Sequence, residues 1–210
     1  MTTATKTRPE FDYTESSTGP GYNAPQKMGR RLWAPMFALA LMAWPIGLVL
    51  SWVRAAEIVS ATPDPATVAR LGQLVPAFMF LGFMGIFTAI SFAIARILGA
   101  FRRGGGEVQQ AIGGDVQTLK MPATARVFIA MTMMGMMAIT IPVILHFVVA
   151  ANVTTWAPET VVRWSEVLEG FRRLGTAMYL FAIAFGLGTI IQVLRFQAQR
   201  IRGLANEATA

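Results

Sequence analysis

The chain has no cysteine and a single histidine in 210 residues. Without thiols there can be no disulfide, zinc ribbon, cysteine-ligated iron–sulfur cluster or thiol nucleophile. One imidazole, His146, excludes bis-histidine haem ligation and a histidine-based metal site within one chain. Charge is also sparse, at 14% of residues, and no Asp or Glu falls inside any of the four long apolar runs. Acids at membrane depth are costly and mark proton relays, so proton-driven export of the small four-span type is not expected. No nucleophile–base–acid set can be drawn from one histidine and surface carboxylates, and the chain is therefore expected not to be an enzyme.

What is present is hydrophobic length. Residues 127–151 run for 25 positions without a formal charge. As a helix this stretch reaches about 37 Å, enough to cross a hydrocarbon layer of about 30 Å. Similar runs occupy residues 32–53, 74–95 and 175–194. An all-α integral membrane protein with four transmembrane helices follows. Trp33 and Trp52 sit near the two ends of the first run, where indoles favour the headgroup layer. Pro45 lies mid-span and is expected to kink its helix, whereas Pro35 is expected in a first turn that tolerates a missing N–H.

The spans read as two tandem hairpins. Shifted by 95 residues, positions 31–64 fall on 126–159 with ten identities, among them Arg31/Arg126, Met42/Met137, Leu50/Leu145 and Pro63/Pro158. This is the pattern of an internal parallel repeat, whose halves are related by an axis along the membrane normal. The expected shape is a four-helix bundle or two hairpins packed together.

Five segments follow. Residues 1–31 are a polar tail, expected to be flexible, and do not resemble a cleavable signal peptide. Residues 32–98 form the first hairpin, with Asp64 capping its second helix. Residues 99–126 are a connector whose GGGEVQQAIGG stretch reads as a flexible linker; it lacks the Gly-Lys-Ser/Thr ending of a phosphate-binding loop. Residues 127–203 form the second hairpin, preceded in its return helix by an amphipathic segment around 158–173. Residues 204–210 are a short C-terminal tail.

Five basic residues, Arg54, Arg70, Arg163, Arg172 and Arg173, lie in the two loops between paired spans; the other 13 of 18 flank the opposite ends. By the positive-inside rule both termini are expected in the cytoplasm, and the Ala- and Arg-rich composition points to a bacterial inner membrane. The net charge of +7 then serves topology and contact with anionic lipids rather than nucleic acid.

Small residues at four-residue spacing mark helix-packing faces: Gly85, Ala89 and Ala93 on the second span, and Ala182, Gly186 and Gly188 on the fourth. Thr88, Ser91, Thr132, Thr140 and Gln192 are expected to make interhelical hydrogen bonds. The third span is rich in methionine, a soft ligand for Cu(I). Met133 and Met137, with His146 further along, are the candidate metal ligands; the plain alternative is packing methionines and a hydrogen-bonded neutral histidine. No cofactor is expected. The expected function is a non-catalytic accessory or structural subunit of a larger membrane complex, its partners being other integral-membrane subunits and lipids. A small homo-oligomeric transporter or channel, for Cu(I) or a neutral solute, is the alternative.

Overall fold

Four helices, each long and apolar enough to cross a membrane, dominate the computed structural model, which describes residues 11–208 apart from 18 and 20. They are α1 (Ala24–Ile58), α2 (Pro65–Ala111), α3 (Ala123–Asn152) and α4 (Pro158–Ala208), with two short strands, β1 (Tyr13–Ser16) and β2 (Val116–Leu119). The protein is a multi-pass membrane protein of the expected all-α, four-span class. Chain direction places the described N-terminal end, the α2–α3 connection and the end of α4 on one face, called here the terminal face. The α1–α2 and α3–α4 turns lie on the opposite, loop face.

The helices outrun their apolar cores because their ends are capped by polar residues. At α1, Asn23 Oδ1 accepts from the Gln26 N–H (3.1 Å) and Gln26 Oε1 accepts from the Asn23 N–H (3.1 Å), a reciprocal capping box. The helix thus begins at Ala24, eight residues before its apolar run. Pro35 consequently stands inside the helix rather than in its first turn. Asp64 caps α2 as expected: its carboxylate accepts from the Ala66 N–H (3.0 Å), the Thr67 N–H (3.2 Å) and the Thr67 hydroxyl (2.5 Å).

Two expectations are corrected at the terminal face. The glycine-rich stretch is not a flexible linker: α2 runs through it to Ala111. It stops where Gly113 takes a φ of 76°, with the Gly113 N–H on Gln110 O and the Gly114 N–H on Gln109 O, both at 3.0 Å. This double bond pattern closes a helix and needs a left-handed residue, which glycine supplies without a Cβ clash. Within the tail, residues 1–10 lie outside the described residues, but β1 and the start of α1 are ordered. β1 pairs antiparallel with β2, Tyr13 opposite Leu119 and Ser16 opposite Val116. The Phe11 and Tyr13 rings rest on Phe196 of α4, with centroids 5.8 and 6.0 Å away.

The amphipathic segment before the fourth span is the first part of one continuous α4, 51 residues long. That is about 76 Å of helix, so α4, like α2, extends well past a hydrocarbon layer.

The element order β-α-α-β-α-α repeats, and so does the packing within each hairpin. In the first, glycines bring α1 and α2 together: a Cβ at Gly29 would meet Phe92 O at 2.6 Å, and one at Gly85 would meet Met36 O at 2.8 Å and Ala40 Cβ at 3.0 Å. In the second, Gly135 lies against Tyr179, and Gly175 against Ile139. Moved back 95 positions, the Gly135–Tyr179 contact falls on Ala40 and Met84, one residue from the observed Ala40–Gly85 contact.

The two hairpins nevertheless do not form a closed bundle. α2 packs against α1, α3 and α4, while α1 touches α2 and, among the described residues, neither α3 nor α4. Burial follows: 39% of the most apolar window of α2 is buried, against 17% for α1. The core is a three-helix seam of α2, α3 and α4 centred on Ile139, Val143 and Tyr179, with Ile94, Phe128 and Ala182 nearer the terminal face.

Candidate functional site

Three features stand out: a buried polar chain near the loop face, an open cleft beside it, and a cavity at the terminal face. The polar chain joins three helices. Gln73 of α2 donates from Nε2 to Ser165 Oγ of α4 (2.7 Å), and the Ser165 hydroxyl donates to Val161 O (2.9 Å). Gln73 Oε1 lies 2.8 Å from His146 Nδ1 of α3. Because the serine proton is committed to Val161, the glutamine must present its N–H₂ to Ser165 and its oxygen to the imidazole. His146 therefore donates from Nδ1, and its Nε2 is buried and without a partner among the described residues. Further along α4, the Arg172 guanidinium pairs with Glu169 and stacks over Phe80, 4.2 Å from the ring centroid, and its Nε and Nη1 have no acceptor among the described residues.

The sequence-derived metal candidates are not brought together. His146 is 2% exposed and faces the seam, whereas Met133 and Met137 are 49% and 58% exposed on the outer face of α3. Nine residues separate Met137 from His146, which at 100° per residue puts them on opposite sides of a helix. The methionine pair and the histidine cannot share an ion within one chain.

Of the packing residues, Gly85 meets α1, and Ala182 and Gly186 lie in the seam, where a Cβ on Gly186 would touch Phe128 and Ile94. Ala89 is buried and Ala93 half-buried. Gly188 has nothing within 4 Å of a Cβ position and points away from any neighbour. Among the polar positions, Thr88 bonds Tyr179 (2.6 Å), Thr140 bonds Met84 Sδ (3.1 Å), and Gln192 accepts from Thr124 (3.0 Å). The hydroxyls of Ser91 and Thr132 have no partner among the described residues.

The cleft arises from the missing α1–α4 contact. α3 covers one side of the α2–α4 seam. Elsewhere along the seam, Phe80 and Phe83 of α2 and Arg173, Thr176, Ala177 and Leu180 of α4 line an open cleft of about 440 Å³. Phe83 also packs edge-on against Trp44 of α1 (5.3 Å), and α1 does not reach α4 among the described residues.

The terminal-face cavity, of about 120 Å³, is lined by α2, α3, α4, the start of α1 and β2. Its polar wall is organised by Arg200, which is 6% exposed. The guanidinium donates to Gln109 Oε1 from Nε (3.0 Å) and Nη2, to Gln197 Oε1 (3.1 Å) and to Gly105 O (2.8 Å). A side chain at position 105 would collide with Arg200 and Gln197, which is why glycine stands there. Arg102 adds a second cation whose buried Nε has no partner among the described residues. Sequence reasoning treated Arg200 as a topology charge and Gly105 as linker.

These features define a four-span helical membrane protein with a polar intramembrane seam and a basic cavity at one face. No family model, curated protein or solved structure matches the chain.

Proposed function

We propose that this chain is a non-catalytic accessory subunit of a larger membrane complex, and that a transmembrane helix of a partner subunit seats in the α1–α4 cleft. The observation that carries the reading is the unequal packing of two repeated hairpins. α3 of the second hairpin contacts both α2 and α4, while α1, its counterpart, contacts α2 alone. The position that a symmetric bundle would close is left open and lined by Phe80, Phe83 and Leu180. A neighbouring helix gains packing there that lipid tails supply less specifically, and in a membrane such packing is the main driving force for helix association.

The interior chemistry supports the same reading. The seam is built from amides, hydroxyls, one imidazole and one arginine, and Glu169 at its loop-side end is occupied by Arg172 and Arg173. The distribution of arginines and lysines supports a bacterial inner membrane with both termini in the cytoplasm, so the terminal face is the cytoplasmic one.

The test is in-membrane photo-crosslinking from a reactive residue at Thr176 or Leu180, followed by mass spectrometry. A stoichiometric adduct with one other integral-membrane protein is the expected result. Adducts with lipid alone, or with a second copy of this chain alone, would overturn the proposal.

A further inference from the structure

The cavity at the terminal face has the composition of an anion site. Arg102 and Arg200 contribute two positive charges to its lining, and the remaining polar side chains are the uncharged groups of Asn23, Gln26, Gln117, Thr118, Gln197 and Thr189, with no carboxylate among the described residues. Among the described residues, Arg200 is met by amide and carbonyl oxygens and by the Phe196 ring, which occupy four of its five N–H donors, leave one Nη1 N–H open and put no carboxylate against its charge. A buried cation without a counter-ion is costly, and an anion in contact offsets that cost. The N-terminus of α3 adds to the positive field: Pro122 and Ala125 line the cavity, and no side chain of the described residues caps this helix end. The floor is different in kind. Leu98, Phe128, Ile129 and Val193 give it an apolar surface continuous with the membrane-spanning seam. Arg102 lies seven residues beyond the second apolar run, about 10 Å along the helix, at headgroup depth.

We infer that this cavity binds the phosphate of an anionic phospholipid, with Arg102 and Arg200 holding the headgroup and the apolar floor taking the start of an acyl chain. Arg200 is presented ready for the ligand, locked by Gln109, Gln197 and the Gly105 carbonyl. Arg102 has free donor capacity and completes the clamp. β2 roofs the site through Gln117, Thr118 and Leu119, and β1 holds β2 in place.

The experiment is native mass spectrometry of the full chain released from nanodiscs of phosphatidylglycerol mixed with phosphatidylcholine. Retention of phosphatidylglycerol over phosphatidylcholine by about tenfold is expected, the equivalent of one charge-assisted contact. Arg102→Gln removes no hydrogen bond or ion pair among the described residues and should abolish most of that preference; Arg200→Gln should do the same but also loosens the α2–α4 contact. Arg195→Gln, an exposed arginine on the same helix, is the control for general surface attraction and should leave the preference intact. Equal retention of both lipids, or an equal loss from Arg102→Gln and Arg195→Gln, would overturn the inference. Inorganic phosphate added at millimolar concentration distinguishes the sources of the anion. Failure to displace the lipid supports a phospholipid site, and full displacement would assign the cavity to a soluble phosphate instead, overturning it.

Discussion

Gly85 and Gly188 both belong to small-residue stripes, yet the structure assigns them opposite fates on substitution by alanine. A Cβ at Gly85 would stand 2.8 Å from Met36 O and 3.0 Å from Ala40 N, both backbone atoms that cannot rotate aside. Ordinary contact begins near 3.4 Å, so α1 must retreat locally by several tenths of an ångström. Overpacking of this kind costs about 1–3 kcal/mol. Alanine also favours helix over glycine by about 1 kcal/mol, which partly offsets the loss. At Gly188 nothing lies within 4 Å, and only the helix preference operates. Subtracting one variant from the other cancels that preference and isolates the clash. Gly85→Ala should therefore be less stable than Gly188→Ala by about 1–3 kcal/mol. Equilibrium unfolding in mixed micelles, titrated with denaturing detergent, measures the difference. Equal stabilities would refute the packing assignment of the α1–α2 hairpin. Because α2 is the sole tertiary neighbour of α1 among the described helices, the loss should appear first as protease access to α1.

Two further outcomes follow from the polar groups. In a double-mutant cycle, Gln73→Leu and His146→Leu should couple by roughly 0.6–1.7 kcal/mol, the range of hydrogen bonds between membrane helices; additive effects would deny the Gln73–His146 bond. Asp64, in the exposed loop-face turn, has its carboxyl held below the ordinary value of 3.8 by the Thr67 hydroxyl and then the Ala66 N–H. A lowered carboxyl contributes stability above its unfolded value, lost as pH falls through the folded one. Its titration followed by NMR should have a midpoint under 3.8, and Thr67→Val should raise it; no rise would remove the capping hydroxyl from the account.

Sequence alone determined the class of this protein. Hydrophobic length is a one-dimensional property: four charge-poor runs of adequate length must cross a membrane as helices, whatever their neighbours. The cap at Asp64 was equally legible, because capping is decided within four residues. The 95-residue repeat could be read for the same reason, as a comparison of the chain with itself.

What required tertiary structure was everything decided between helices. The glycine-rich stretch reads as linker by composition, yet the chain there is helix, since Gly105 lets Arg200 reach the α2 backbone from α4. The strands were invisible because each has four residues, and they are held by one another and by Phe196. Most of all, the partial repeat between the hairpins gave no sign that α1 would stop short of α4. Side chains alone cannot encode that gap; it emerges from which faces of α2 and α4 are already filled, by Tyr179, Ile139 and the polar chain through His146.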